Sequence, residues 1–274
     1  AASDVYKRQE RTAADLAQPV EIPDSGDEAA ALALAFNQMS QRLNQVFVMQ
    51  RNFSRSAAHE FRTPLAVLKT RIGLFRKKQD FRPRATLELL QIVEGEVDRL
   101  SAMVSELLEL TNLERASRGE RLSSGQLIRS AADQAAPQAE ARSITILVDA
   151  APCTLAANAE LLRQAVCNLV ENAVKYSPAG SVVHIAGHRD GEWFQIVVAD
   201  QGPGIPESLR QRIFEPFFRV DDSRSRQLGG AGLGLALVRA IAEFHGGAVY
   251  VEKSRGAGSR FVLKLPCEQD PPPD

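Results

Sequence analysis

The chain has 274 residues, of which 44% are hydrophobic and 24% are charged, and its formal net charge is −1. This length accommodates two domains, and the composition is ordinary for a globular protein. The near-neutral charge gives no indication of a nucleic-acid partner at the level of the whole chain.

The cysteine pattern indicates a reducing compartment. Cys153, Cys167 and Cys267 are scattered, with no CxxC pair and no spacing typical of a metal site. We interpret them as reduced thiols in a cytoplasmic protein. No apolar run approaches the ~20 residues that span a bilayer, and no signal peptide is visible. Residues 1–9 match no later pattern, and we expect a truncation or non-native segment there.

Residues 10–115 are rich in Ala, Leu, Glu, Arg and Gln, and their apolar side chains recur at helical spacing. The first series is Leu32, Phe36, Met39, Leu43, Val46, Phe53, Ala57 and Phe61, continuing after Pro64 as Leu65, Leu68, Ile72 and Phe75. After a polar turn at 79–85, a second series alternates steps of three and four: Leu90, Val93, Val97, Leu100, Val104 and Leu107.

These two series predict a long antiparallel helical hairpin. Each helix would leave half of its apolar stripe uncovered, and dimerisation into a four-helix bundle would bury the rest. The alternative is a helical stalk that carries no chemistry.

The pattern changes after a polar segment at 116–126, which we interpret as a linker or turn. Strands are predicted at 144–150, 181–188, 193–200, 248–254 and 260–266, and helices at 127–140, 158–176 and 232–245. Asp190-Gly191 predicts a tight hairpin between two of the strands. The fold class is therefore α+β, with the hairpin followed by an α/β-sandwich domain. The tail at 268–274 is expected to be disordered.

The predicted helix 158–176 has two distinct faces. Asn158 is the expected N-cap. The core face comprises Leu162, Val166, Leu169, Val170 and Ala173. Asn168, Asn172 and Lys175 share another face at i, i+4 and i+7. Asparagine is a mediocre helix former, so this stripe indicates a polar task such as holding a metal or a phosphate, although solvated asparagines are the commoner case.

Two glycine-rich segments follow. In DQGPGIP (200–206), an aspartate at a strand end precedes glycines that let the backbone approach a ligand, although an isolated segment of this kind is more often a simple turn. GGAGLGLALV (229–238) enters an apolar helix and predicts an anion site at the helix N-terminus. Its spacing is neither a dinucleotide fingerprint nor a P-loop. Between them, IFEPFFRV (213–220) and DDSRSRQ (221–227) suit the base and the body of a mobile lid.

The order of these motifs is specific. NLVENAVKY (168–176), DQGPGIP, IFEPFFR (213–219) and GGAGLGLAL (229–237) resemble the N, G1, F and G2 boxes of sensor histidine kinases. The ATP-binding domain of that family shares its fold with gyrase and MutL. Four boxes in the right order across about a hundred residues make a specific match, whereas a single motif would not.

The resemblance assigns roles to individual positions. It implies that Asn168 and Asn172 hold Mg²⁺ with the phosphates of ATP, and that Lys175 contacts phosphate. It also implies that Asp200 accepts from the adenine amino group and that Tyr176 lies against the base.

The remaining roles concern the glycines and one arginine. Gly202 and Gly204 would make room for the nucleotide. Three glycines would let the lid close on the phosphates, namely Gly230, Gly232 and Gly234. Arg219 would be a further phosphate contact.

HEFRTPL (59–65) places a histidine, an acid, a threonine and a proline within the first long helix. On a helix turning about 100° per residue, His59 lies about 200° from Ala57 in the apolar series and so points outward. Thr63 lies one turn further on the same face. Pro64 has no N–H, so the Glu60 carbonyl loses its helical donor, and we expect the helix to bend there. Our hypothesis is that this bend transmits signals. An unchanged balance of kinase and phosphatase activity in Pro64→Ala would contradict it.

This stretch resembles the H box of the HisKA-type dimerisation and phosphotransfer domain. The resemblance implies that His59 is the phosphorylated residue, that Glu60 is the base for its autophosphorylation, and that Thr63 helps to position a water for dephosphorylating the partner. Neutral imidazole is a competent nucleophile towards the γ-phosphoryl group of ATP.

Residues 10–45 resemble the second half of a HAMP relay module, through DEAAALALAFNQMSQRL. By that resemblance, transmembrane segments lie upstream and this chain is the cytoplasmic portion of an inner-membrane sensor. The expected domains are a partial HAMP-like helix at 10–48, the phosphotransfer domain at 49–117 and the ATP-binding domain at 118–267.

The sequence as a whole indicates a homodimeric, ATP- and Mg²⁺-dependent protein histidine kinase that phosphorylates itself on His59 and transfers the phosphoryl group to a response-regulator aspartate. Phosphatase activity towards that regulator is also expected. A chaperone- or gyrase-like ATPase is the rival enzyme, and it lacks an H-box hairpin upstream. A nucleotide-binding scaffold without transfer is the non-enzymatic alternative, against which the intact boxes and His59 count.

Overall fold

The computed structural model describes residues 20, 28–78, 82–113, 117, 119–220, 231–253 and 257–267. The chain divides into two units, Ala1–Thr63 and Pro64–Asp274. Several predictions lie outside the described residues: the terminal segments 1–9 and 268–274, the lid residues 221–227, Gly230, and residues 79–81 of the expected turn.

Two long helices, α1 (Glu28–Lys78) and α2 (Pro83–Asn112), form the helical hairpin that the two apolar series predict. Helix α1 continues without interruption through the buried Pro64. The turn predicted at 79–85 extends too far, because α2 already begins at Pro83. A proline suits a first helical position, where its missing N–H would have no partner anyway.

In the N-terminal unit, α1 is tied to the preceding segment by the side chain of Asn37. Its Oδ1 accepts the backbone N–H of Val20 at 2.8 Å, and its Nδ2 donates to the Val20 carbonyl at 2.9 Å. Because both polar atoms of one amide are used, Val20 is held against the helix in a fixed register.

The segment at 116–126, interpreted as a linker, is partly a strand, and that interpretation was wrong. Strand β1 (Glu120–Ser123) pairs antiparallel with β3 (Thr154–Ala157), which the sequence pattern also missed. Helix α3 (Ser124–Ala141) follows β1 directly. The hydroxyl of Ser124 accepts the N–H of Cys153 at 3.0 Å and donates to the Ala151 carbonyl, so this small sheet and α3 are connected.

The remaining strands form one mixed five-stranded sheet, as the α+β prediction requires. Its strands are β2 (Thr145–Ala150), β4 (Val182–Asp190), β5 (Trp193–Ala199), β6 (Ala248–Glu252) and β7 (Arg260–Pro266), in the order β2-β4-β5-β7-β6. Strands β2 and β4 are parallel, and the other pairs are antiparallel. The Asp190-Gly191 hairpin is confirmed, since Asp190 pairs with Trp193 and Gly191 has φ 63°.

Helices α3, α4 (Ala159–Tyr176) and α5 (Gly234–Phe244) pack on this sheet and enclose one core. All members of the predicted core face of α4 are buried: Leu162, Val166, Leu169, Val170 and Ala173. The N-cap prediction is also confirmed, because Oδ1 of Asn158 accepts the N–H of Leu161 at 3.0 Å. The apolar face of α4 therefore fixes which way its polar stripe points.

A buried histidine joins the start of α4 to the end of α5. The Nε2 atom of His245 accepts the N–H of Asn158 at 3.0 Å, and Nδ1 lies 2.8 Å from the Ile241 carbonyl. Nδ1 therefore carries the proton and donates to that carbonyl. This histidine has a structural task and is distinct from His59. The three cysteines are free thiols, as expected.

Candidate nucleotide site and phosphoacceptor histidine

A cavity of about 650 Å³ opens between α4, the start of α5 and the loop that follows β5. It brings together nine of the predicted site residues: Asn168, Asn172, Lys175, Tyr176, Asp200, Gly204, Arg219, Gly232 and Gly234. Its apolar lining includes Ile205, Ile213, Phe218 and Phe261. A concave, mainly apolar cavity with a few convergent polar groups is typical of a cofactor or nucleotide site.

Asp200 lies directly beyond β5 and is buried, with 7% of its surface exposed. Its Oδ1 accepts the backbone N–H of Gly202 at 2.8 Å and that of Ser259 at 3.0 Å. Burial raises the pKa of this carboxyl, and the two backbone donors together with the Ser259 side chain oppose that shift. A carboxylate has about four acceptor positions on its two oxygens, so three such bonds leave capacity to accept a ligand N–H.

The backbone around Asp200 leaves no space for extra side-chain atoms. A Cβ added to Gly202 would lie 2.8 Å from the Tyr176 carbonyl oxygen and 2.9 Å from Oδ1 of Asp200. Gly258 has φ 108°, and a Cβ there would lie 1.9 Å from the Asp200 carbonyl oxygen. These glycines therefore hold the aspartate by close approach of three chain segments.

The polar stripe of α4 lies along one wall of the cavity. Asn168, Asn172 and Lys175 all line it, as their spacing predicts. The first turn of α5 faces the same space, since a Cβ on Gly234 would lie 3.5 Å from Oδ1 of Asn168. The N-terminus of α5, with its free N–H groups and positive dipole end, is suited to bind phosphate there.

Lys175 lies in a crowded electrostatic environment. Its pKa is lowered, first by burial and then by the positive charge of Arg219, while the carboxylate of Glu106 opposes the shift. Its Nζ lies 5.4 Å from the ring centre of Tyr176. Two cationic side chains at this end of the cavity favour an anionic ligand.

Glu106 also lines the cavity, and sequence reasoning missed it because it comes from the hairpin helix α2. Its pKa is raised to about 7, first by burial and then by the negative charges of Glu109 and Glu171. Lys175 acts in the opposite direction. One helix of the hairpin therefore contributes a carboxylate to the wall of the cavity.

The sequence also did not predict three further residues that contact Asp200 or line the cavity. Ser259 donates to Asp200, Gly258 is confined against it, and Gln138 of α3 lines the cavity. Gly258 and Ser259 lie in the short segment between the predicted strands 248–254 and 260–266, and the glycine there is the sequence signal that could have indicated them. Gly202 borders the site through its contacts without lining the cavity.

The predicted phosphoacceptor residues lie in the N-terminal unit. His59 is exposed, as its angular position on α1 predicts, while Glu60 and Thr63 are partly buried. The Thr63 hydroxyl donates to the His59 carbonyl at 3.2 Å. An exposed imidazole beside a carboxylate and a hydroxyl is accessible to a reactive phosphoryl group.

The residues assigned to Mg²⁺ fit a magnesium ion. Asn168 and Asn172 both line the cavity. Each amide carries an oxygen, and Mg²⁺ prefers oxygen ligands, few of them from protein and the rest from water and phosphate. Among the described residues no cluster of three or more His, Cys, Asp or Glu side chains forms a metal site. The nucleotide phosphates would therefore supply most of the negative charge that balances any Mg²⁺ bound here.

Three family models match the chain in tandem. Residues 157–269 match the histidine kinase-, DNA gyrase B- and HSP90-like ATPase model, residues 49–116 the His Kinase A (phospho-acceptor) domain, and residues 9–45 the HAMP domain. The chain belongs to the sensor histidine kinases. In this sensor histidine kinase, most of the residues that line the cavity lie within the ATPase match, whereas Glu106 and Gln138 lie outside it. His59 lies within the phospho-acceptor match.

Curated relatives of this kinase chain extend well beyond it. It is 34% identical over 269 residues to the sensor protein IrlS of Burkholderia pseudomallei, covering 96% of this chain and 57% of IrlS. It is 34% identical over 256 residues to the sensor histidine kinase CpxA of Escherichia coli, covering 92% of this chain and 54% of CpxA. The chain thus spans about half the length of the curated relatives it matches.

The fold resembles that of the histidine kinase ThkA, solved in complex with the response regulator protein TrrA. The TM-score is 0.68 with 24% sequence identity, covering 88% of this chain and 68% of ThkA. At this identity the likeness concerns the fold. None of the helices in the described part of the chain combines the length and apolar composition needed to cross a membrane.

Proposed function

We propose that this chain is the catalytic part of an ATP-dependent protein histidine kinase that phosphorylates itself on His59. The observation that carries the proposal is the cavity in which Asp200 and the polar stripe of α4 converge, on a chain that also bears an exposed histidine in the phospho-acceptor match.

Different groups of the cavity bind the base and the phosphates. Where the adenine lies, which we call the adenine end, Asp200 accepts from its amino group and Tyr176 lies against the base. Lys175, whose Nζ lies 5.4 Å from the centre of the Tyr176 ring, and Arg219, whose charge opposes the rise that burial causes in the pKa of Tyr176, face the phosphates with the N-terminus of α5. Gly202 and Gly204 leave room for the nucleotide, and Gly230, Gly232 and Gly234 let the lid close.

The chemistry is transfer of one phosphoryl group. A neutral ring nitrogen of His59 attacks the γ-phosphorus in line, an N–P bond forms, and the bond from phosphorus to the β,γ-bridging oxygen breaks to release ADP. Glu60 takes the ring proton from the other nitrogen or fixes its tautomer. Asn168 and Asn172 would hold Mg²⁺ with the phosphates, and the ion would neutralise charge on the transferred group.

Incubation with γ-labelled ATP and Mg²⁺ tests this proposal. We expect label that is lost in acid and stable in base, as a phosphoramidate is, and no label in His59→Gln. His188→Gln, which changes an exposed histidine on β4, is the matched control and should label normally. Acid-stable label, or label that persists in His59→Gln, would contradict the assignment.

The phosphoryl group then passes from His59 to an aspartate of a response-regulator receiver domain. The family relationship and the complex in which ThkA was solved support a partner of this class. We propose that the chain also dephosphorylates its regulator, with the Thr63 hydroxyl positioning the attacking water.

We propose that the chain forms a homodimer through the hairpin, and the apolar surface that one chain leaves exposed supports this. Leu90, Val97 and Val104, seven residues apart on α2, are 52%, 47% and 46% exposed. Leu65 and Ile72 of α1 are 54% and 43% exposed. A heptad stripe of this kind is typical of a helical-bundle interface, and a second copy of the chain would cover it.

We further propose the domain boundaries 10–48, 49–117 and 118–267, which lie close to the family matches. The HAMP match supports a membrane-linked sensor whose membrane-spanning segments lie outside this sequence, with these residues on the cytoplasmic side.

A further inference from the structure

Arg142 follows the last residue of α3 and reaches across to the end of α4. Its Nη1 donates to the carbonyl oxygens of Val174 at 2.5 Å and Lys175 at 2.6 Å. Its Nη2 donates to the Ser177 carbonyl at 2.9 Å. One half-buried guanidinium therefore binds three carbonyls at the C-terminus of the helix that carries the polar stripe.

The backbone of Arg142 is itself fixed at both ends. Its N–H donates to the Ala139 and Glu140 carbonyls, which ends α3, and its carbonyl accepts the N–H of Gly180 at 3.4 Å. The last carbonyls of a helix have no partner within the helix, and a positive charge there is favourable. Arg142 supplies both the donors and the charge.

The bound segment leads directly to the nucleotide site. It contains Lys175 and Tyr176, which line the cavity. The Tyr176 carbonyl lies so close to Gly202 that a Cβ there would be 2.8 Å from it, and Gly202 donates to Asp200. A shift of the α4 terminus by a fraction of an ångström would therefore move Tyr176 and the loop that holds Asp200.

We propose that Arg142 is a positioning residue for the nucleotide: by binding the C-terminal carbonyls of α4 it fixes Tyr176 and the Gly202 loop at the adenine end of the cavity. Arg142 does not line that cavity, so it acts through the backbone. This inference rests on the proposed function, because it assigns a role in binding ATP.

The chemistry of the side chain makes the proposal specific. A guanidinium presents its N–H groups in a fixed plane and can satisfy three separate carbonyls at once. A lysine ammonium can reach one or two of them, and methionine, which has similar length, can reach none. The expected order of nucleotide affinity is therefore Arg, then Lys, then Met.

Titration calorimetry with Mg²⁺ and ADP at 10 °C tests this order, with circular dichroism showing that each protein is folded. We expect Arg142→Met to raise the dissociation constant about tenfold and Arg142→Lys by a smaller factor. Arg239→Met is the control, since Arg239 is an exposed arginine paired with Glu243 on α5. The affinity of this variant for ADP should equal that of the wild type.

Hydrogen exchange without nucleotide provides an independent readout. We expect the amides of residues 174–177 to exchange about tenfold faster in Arg142→Met than in the wild type. If Arg142→Met does not fold, Arg142→Lys and Arg142→Gln carry both measurements. Wild-type affinity in every folded Arg142 variant would overturn the inference and leave the proposed function intact. A wild-type protein that binds no ADP would overturn the proposed function itself.

Discussion

The backbone N–H of Gly202 donates to Oδ1 of Asp200 at 2.8 Å, across a turn in which no Cβ fits at position 202. The aspartate is therefore oriented by the chain that immediately follows it, with the Ser259 N–H as a second donor. A carboxylate fixed in this way is ready to accept from a ligand without further ordering, which is the basis of selective recognition of an amino group.

Asp200→Asn should weaken binding of Mg²⁺–ADP by roughly tenfold or more while leaving the fold intact. The asparagine oxygen can still accept from Gly202 and Ser259, but its second polar atom is a donor and would oppose the adenine amino group. Calorimetric titration measures the effect, with Asp149→Asn on the exposed face of β2 as the control. Unchanged affinity in Asp200→Asn would contradict the adenine role.

Gly202→Ala should destabilise the catalytic domain by about 1–3 kcal/mol and also weaken nucleotide binding, because its Cβ would overlap the Tyr176 carbonyl. Gly95→Ala on α2 is the opposite case, since nothing lies within 4 Å of a Cβ there. That change should stabilise the helix by ~0.5–1 kcal/mol. Urea unfolding followed by circular dichroism compares the two, and equal effects at both sites would refute the steric argument.

Glu106→Gln should stabilise the protein at pH 8 and have no effect near pH 4.5. The pKa of Glu106 is raised to about 7 in the folded state, so the folded protein holds a proton that the unfolded chain releases between pH 4.5 and 7. Stability of the wild type therefore falls as the pH rises through this window, by roughly 1–2 kcal/mol after allowance for residual solvation.

Urea unfolding monitored by the fluorescence of Trp193, the single tryptophan of the chain, follows this change in the catalytic domain. Glu88→Gln on the same helix is the control, because that side chain is exposed and paired with Arg84. A benefit from Glu106→Gln that is equal at both pH values would show that charge is not its cause.

Thr63→Ala should reduce dephosphorylation of the response regulator by about tenfold or more and leave autophosphorylation within a factor of about two. The change removes the hydroxyl that donates to the His59 carbonyl, but it leaves the imidazole in place. Thr70→Ala, at an exposed position further along α1, should affect neither activity. Parallel loss of both activities in Thr63→Ala would indicate a general disturbance of the helix.

Val97→Lys should convert the proposed homodimer to a monomer at micromolar concentration, because it places a charge in the middle of the exposed heptad stripe on α2. Gln91→Lys adds the same charge at an exposed polar position of the same helix and should leave the dimer intact. Sedimentation equilibrium distinguishes the two states. A dimer that survives Val97→Lys would place the interface elsewhere.

The sequence predicts those elements whose own residues show a clear apolar periodicity. Burial of the core face fixes the orientation of α4. The three residues of its polar face, Asn168, Asn172 and Lys175, therefore line the same wall of the cavity. Asp200 could be placed because strand β5 ends one residue before it.

The missed elements depend on contacts that are distant in sequence. Strands β1 and β3 have four residues each, too few to show an alternation, and they exist only because they pair with each other. Arg142 and Glu106 reach the site region from α3 and α2, and no spacing rule relates either of them to the boxes. Position 258 must be glycine because a Cβ there would collide with the carbonyl oxygen of Asp200, which lies 58 residues earlier in the chain.

Glu106 places a carboxyl group of the hairpin in the wall of the cavity that we propose as the nucleotide site. A carboxylate on α2 lies in the wall of the cavity near Lys175, so a displacement of α2 that removes this negative charge would make the cavity a better host for phosphates. Coupling of this kind is reciprocal: the free energy by which the hairpin alters nucleotide affinity equals that by which bound nucleotide alters the hairpin. If ATP or ADP binds in the cavity as we propose, its occupancy would bias the position of α2.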